Sequence, residues 1–102
     1  MAMLHTVNKS PFEKNSADAC LSHVKAGASI LFIEDGVYAA LDGTVVTDSI
    51  KSAMKDCKIY VLGPDYKARG LSEDKLIEGV TVVDYGGFVD LVTEHDSVQS
   101  WL

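Results

Sequence analysis

Four short apolar runs, each set off from the next by a stretch of helical character, limit this chain more than any other feature. They are "MLHTV" (3–7), "SILFIE" (29–34), "KIYVL" (58–62) and "VTVVDY" (80–85), and "SVQSWL" (97–102) follows as a less apolar fifth. "ILFI" and "VTVV" are continuous and rich in β-branched residues, the pattern of strands covered on both faces. Strands that alternate with helices require crossover connections and hence a mostly parallel sheet. The expected fold is α/β, a small three-layer domain over residues 1–102. Its four- or five-stranded sheet is flanked by helices in a flavodoxin-like arrangement.

Local signals place the helices. In "KSPFEK", Ser10 is positioned to cap, Pro11 to take the first helical turn and Glu13 to complete a capping box. Ala17, Cys20, Leu21 and Val24 then form a stripe at helical spacing, and Gly27 supplies a left-handed stop. "EDGVYAALDGTVV" between Gly36 and Gly43 is compatible with a helical turn or a hairpin. "TDSIKSAMKDC" (47–57) reads as a helix, and "GPDYKARG" (63–70) as one or two turns opened by Pro64 and closed by Gly70. "LSEDKLIEG" (71–79) reads as a surface connection. "GGFVDLVTEHD" (86–96) reads as a helix with Phe88, Val89, Leu91 and Val92 facing inward.

Charge excludes some partners. Nine basic against fifteen acidic residues give a net charge of −6, and phosphate neutralisation dominates nucleic-acid affinity, so direct nucleic-acid binding is not expected. No run approaches the roughly 20 apolar residues of a membrane span, and "MAMLHTVNK" lacks the pattern of a signal peptide. Cys20 and Cys57 have neither CxxC nor metal-ligand spacing; they read as free thiols of a cytoplasmic protein. At 47% apolar residues in 102, the chain has more apolar surface than so small a core uses, which favours an oligomer.

Cys20 is the candidate chemical residue. On a helical wheel it lies on the flank of the apolar stripe beside Ser16, with His23 one turn on, and exposure or a nearby imidazolium would favour its thiolate. The competing reading is a small hydrophobe in a core. Cys57, between Asp56 and Lys58, reads as incidental. His5 reads as a hydrogen-bonded core histidine and His95 as a cap on a helix C-terminus. "EDG" and "DYGG" place acids and glycines at strand ends, where open α/β sheets bind ligands. "YGGF" nevertheless lacks GxGxxG, and no Walker lysine is present, so tight turns are the plainer reading. Trp101 and Leu102 form an apolar pair that either marks a contact or folds back on the core.

In order, "LHTVNKSPF", "LFIEDGVYAAL", "YVLGPDYKARGL" and "VVDYGGFVDLV" resemble the DsrH/TusB family, from residue 4 to the terminal "WL", with the DsrH branch the nearer. The resemblance implies a DsrEFH-like subunit of a cytoplasmic heterohexamer, with DsrE/TusD-like and DsrF/TusC-like sister chains and a downstream sulfur-acceptor protein. Such a complex relays persulfide sulfur, serving sulfur oxidation or 2-thiolation of the wobble uridine of tRNA. The family's principal persulfide cysteine belongs to the DsrE/TusD sister. DsrH-type chains often carry a first-helix cysteine, and Cys20 matches it, which makes Cys20 the candidate persulfide carrier. The resemblance implies no metal and no organic cofactor, and little activity from the chain alone.

Three functions follow as alternatives. The first is a relay subunit in which Cys20 holds sulfur. The second is a scaffold subunit of the same complex with idle thiols. The third is a flavodoxin-like module with a small ligand at the strand ends. A Cys20 face open to solvent or to a sister chain is the expectation on which the first depends.

Overall fold

A computed structural model describes residues 2–102. The four strong apolar runs and the weaker fifth all form strands: β1 (Met3–Val7), β2 (Ser29–Phe32), β3 (Lys58–Leu62), β4 (Thr81–Val83) and β5 (Ser97–Trp101). All pair in parallel in the order β4-β3-β2-β1-β5. Helices α1 (Ser16–His23), α2 (Thr47–Ala53), α3 (Gly63–Ala68) and α4 (Tyr85–Glu94) fill the crossovers, with a 3-10 segment at Glu34–Ala40 and a 3-10 turn at Glu73–Lys75. The open reading of "EDGVYAAL" is thereby answered as 3-10 helix.

The strand order dictates the layers. From β1 to β4 the chain steps outward in one direction, so right-handed crossovers put every connecting element on the same side. The last crossover runs back past β1 to the opposite edge and puts α4 on the other side. The two cores confirm it. Val7, Ile30, Phe32, Ile59 and Val61 pack with Ala17, Cys20, Val37, Ile50 and Tyr66. Leu4, Leu31 and Leu62 pack with Leu91 and, at its margin, Phe88. Side chains alternate across the pleat, so neighbours in one strand serve different cores.

Several local expectations needed correction. Ser10 does not open a helix: its Oγ accepts the Phe12 amide at 3.2 Å, and its carbonyl takes the Glu13 and Lys14 amides. That turn stops at Asn15, and α1 begins only at Ser16. At its other end α1 stops before Val24, which is extended at ψ 145°. Gly27 adopts φ +89° in the turn to β2 instead of capping the helix. On α4, Phe88 and Leu91 face the sheet as expected, but Val89 and Val92 do not; they are 62% and 41% exposed. A single amphipathic helix buries one stripe, here Phe88 and Leu91, and four apolar residues in five positions cannot share it. Asp84 caps α4, its Oδ1 accepting the Gly87 amide at 2.8 Å.

Candidate functional site

Cys20 lies in the middle of α1, and α1 lies over β1 and β5. Its neighbours Ser16 and Ala17 are buried with it, and His23, one turn on, is exposed. The stripe is therefore turned towards Ser16 relative to the sequence reading: it runs through Ser16, Ala17 and Cys20, while Leu21 and Val24 form its half-buried flank. Cys20 has 0% accessible surface. The expectation of an open Cys20 face is corrected by this packing. Burial, aided by the Cys57 thiol, pushes the Cys20 thiol up to about 12, so at neutral pH it is protonated and weakly nucleophilic.

Cys57 stands where α2 gives way to β3. Its Sγ–H donates to the Lys25 carbonyl at 3.4 Å. Burial and the adjacent Asp56 carboxylate raise its pKa, and a hydrogen bond from the Ala28 amide only partly offsets them. It lines a cleft of about 630 Å³ between α1 and α2, rimmed by Asp18, Asp48 and Asp56. The two thiols are free, and burial is the leading influence on both.

The carboxyl ends of the strands, where a ligand would be sought first, are filled by the protein itself. The 3-10 segment folds across them. Gly36 lies so close to β1 that a Cβ would overlap the Val7 carbonyl. Glu34 is held in the left-handed region at φ 50°, its amide donating to Asp65 Oδ2 at 2.7 Å. Arg69 ties the segment down through Nε to Asp35 Oδ1 at 2.9 Å and Nη1 to the Asp65 carbonyl at 3.1 Å. The glycines and acids of "EDG" thus build a braced turn. Spacing could not separate that from a ligand cradle; the close approach to Val7 does.

A second cluster lies along β1 and β5. His5, a buried histidine as expected, accepts the Trp101 Nε1–H at Nδ1 over 3.0 Å. The indole lies between two imidazoles, with centroids 6.2 Å from His5 and 5.7 Å from His23. His23 Nδ1–H donates to the Ala19 carbonyl at 2.8 Å. Trp101 therefore folds back, whereas Leu102 keeps most of its surface exposed, its carbonyl accepting Ser16 Oγ–H at 3.0 Å. His95 does cap α4, with Nδ1–H on the Leu91 carbonyl at 2.6 Å, and Nε2 also meets Ser29 Oγ at 2.9 Å. His5, His23 and Trp101 are distant in the chain, and no local spacing links them. The parallel pairing of β5 beside β1, with Val7 in register with Trp101, is what brings them together.

Comparison with known proteins matches the family model described as DsrH like protein over residues 9–98. "Protein TusB" of Escherichia coli K12 is 36% identical over 99 residues, covering 97% of this chain and all of the relative. "Protein TusB" of Pectobacterium parmentieri is 37% identical over 100 residues, with the same coverage. Among solved structures, the crystal structure of the ychN protein from E. coli superposes with a TM-score of 0.84 at 16% identity over 98% of each chain. Protein Tm0979 from Thermotoga maritima, solved by NMR, gives 0.67 at 26% identity over 92% of this chain and 93% of its own. The first of these likenesses speaks to fold alone, whereas the near-complete match to the family model and to proteins named TusB goes further: the chain belongs to the DsrH-like family that includes TusB.

Proposed function

We propose that this chain is a structural subunit of a cytoplasmic sulfur-relay complex serving 2-thiolation of tRNA, in which persulfide is carried by sister chains and not by Cys20. The observation that carries this reading is the absence of any accessible surface on Cys20. A persulfide relay needs a thiolate that can attack a donor persulfide and then present its sulfur to an acceptor thiol. A sulfur buried in the same core as Val7, Ala17 and Ile30 and protonated up to about pH 12 does neither. Family membership supports the complex itself, and the near-full-length likeness to proteins named TusB supports tRNA thiolation over sulfur oxidation. Sulfur oxidation drew its support from the first-helix cysteine, and the burial of Cys20 weakens that support.

A scaffold must offer surface to its sister chains. On α4, Tyr85, Val89 and Val92 recur at helical spacing, at 60%, 62% and 41% exposure, an apolar stripe with no cover in the isolated chain. A related sister chain is its proposed occupant, through a paired face of the same fold. The test is reconstitution. Co-expression of the Cys20→Ala/Cys57→Ala chain with its sister subunits is expected to give a complex that transfers sulfur at the wild-type rate. Loss of transfer from a complex that still assembles would reject the scaffold reading, and restoring Cys20 alone would then show whether it is the carrier.

A further inference from the structure

Beside the C-terminal turn of α1, running along β1 and β5 from their amino ends to Trp101, lies a cavity of about 400 Å³ lined mainly by apolar atoms of Met3, Ala26, Ala28 and Trp101. His5, His23, Lys25, Asp96 and Gln99 supply its polar groups. We infer that this cavity is a binding site for a small flat molecule carrying a carbonyl or carboxylate oxygen, which accepts a hydrogen bond from His5 Nε2–H at its floor.

The inference starts from the proton on His5. An indole N–H can only donate, so the 3.0 Å contact with Trp101 makes His5 Nδ1 the lone-pair nitrogen. The neutral ring then carries its proton on Nε2. His5 is 5% exposed, and its Nε2 makes no hydrogen bond among the described residues. Among the described residues the one side-chain polar atom both shut off from solvent and unpartnered is Asn8 Oδ1. His5 Nε2 is thus not shut off; its small accessible area opens into the cavity that His5 lines. A donor with so little accessible area is poorly served by water, and an acceptor that enters the cavity gives it a better placed partner. The shape and lining fit a flat body beside the indole, with edge or offset packing available.

The charged rim decides between the two forms of acceptor. Lys25 makes no ion pair among the described residues, and it would favour a carboxylate. Asp96 stands on the same rim, its Oδ2 accepting the Ala2 amide at 3.2 Å, and it would favour a neutral carbonyl. Both forms share the contact with His5.

Trp101 is the one tryptophan of the chain, so its emission reports on the cavity directly. The wild-type chain is titrated with benzamide, benzoate and benzylamine at neutral pH. Benzamide or benzoate is expected to saturate, with a dissociation constant on the order of 1 mM, as suits so few heavy atoms. Benzylamine, which has no acceptor, is expected to bind at least roughly tenfold more weakly, the worth of one hydrogen bond to a buried donor. The ¹⁵N resonance of His5 Nε2 is expected to move with the same saturation curve while Nδ1 stays near its free position. Lys25→Gln, a surface change, weakens benzoate alone if the carboxylate form is preferred and changes neither probe if the neutral form is. Failure of both oxygen acceptors to saturate by about 20 mM, where a millimolar site would be nearly full, would overturn the inference. So would equal binding of benzylamine, or saturation without movement of His5 Nε2.

Discussion

The two faces of the sheet are built to different depths. One is covered by α1, the 3-10 segment, α2 and α3, and its core reaches from Val7 to Val80 with Cys20 inside it. The other is covered by α4 alone, and its core is four buried leucines with a partly buried margin. The difference follows from topology: three successive crossovers load one side, and one return crossover loads the other. It teaches where each kind of residue can work. A thiol on the loaded face is packing material, while an apolar residue on the thin face remains available to a neighbour.

The largest expected effect is on the loaded face. Phe32→Ala should lose about 3–5 kcal/mol, and Leu91→Ala on the thin face about 2 kcal/mol, because a shallower core relaxes more easily into the gap. Urea unfolding of both variants checks this, and equal losses would break the contrast between the faces. Next in size, Cys20→Ser should cost about 1–3 kcal/mol by placing a hydroxyl among aliphatic carbons. Val89→Ser should move stability by no more than about 0.5 kcal/mol yet reduce assembly with sister chains, as seen by size-exclusion chromatography of the co-expressed complex. A Val89→Ser chain that assembles normally would remove α4 from the interface.

The smallest expected effects are on pH dependence, and they sharpen the comparison from both ends of the scale. Unfolded Cys20 ionises in the ordinary thiol range, whereas the folded chain holds that proton to about 12. Between those limits the unfolded state binds fewer protons, so stability falls as pH rises. Cys20→Ala should flatten this alkaline slope. His5 moves the other way: burial lowers its pKa, so below the ordinary histidine range the unfolded state binds the extra proton and stability falls as pH falls. His23, Lys25 and Asp96 face it across the cavity, and protonation would also set an N–H against the Trp101 N–H. The acid loss should appear as a shift in Trp101 emission that runs ahead of unfolding.

Much of the fold was legible because it rests on short-range signals. β-branched runs marked the strands, and Pro64 with Gly70 marked α3. Gly70 indeed sits at φ +71°. What was not legible depended on tertiary placement. Ser10-Pro11 is a sound helix start, yet the chain must first cross the sheet end, and Asn15 breaks the turn before α1 begins. Val89 and Val92 looked like core because apolar content alone does not say how many layers a helix faces. For the candidate site, the sequence offered Cys20 with the right chemistry and a small error in its rotation about α1. A turn of less than the roughly 100° between successive residues is enough to carry a side chain from an accessible flank into the core. The His5–Trp101–His23 group needed β5 to lie beside β1, and nothing in local spacing announces that pairing.

Native thiol exchange at Cys20 tests the account most directly. The folded chain is exposed to a thiol reagent in excess, and modification at Cys20 and Cys57 is followed separately by peptide mass. Cys20 should react only as fast as the chain unfolds globally, slower than a free thiol by roughly a thousandfold or more, and its protection should vanish in step with denaturant. Reaction of Cys20 at a rate independent of global stability would show an open path to its sulfur and would return this subunit to the carriers of persulfide.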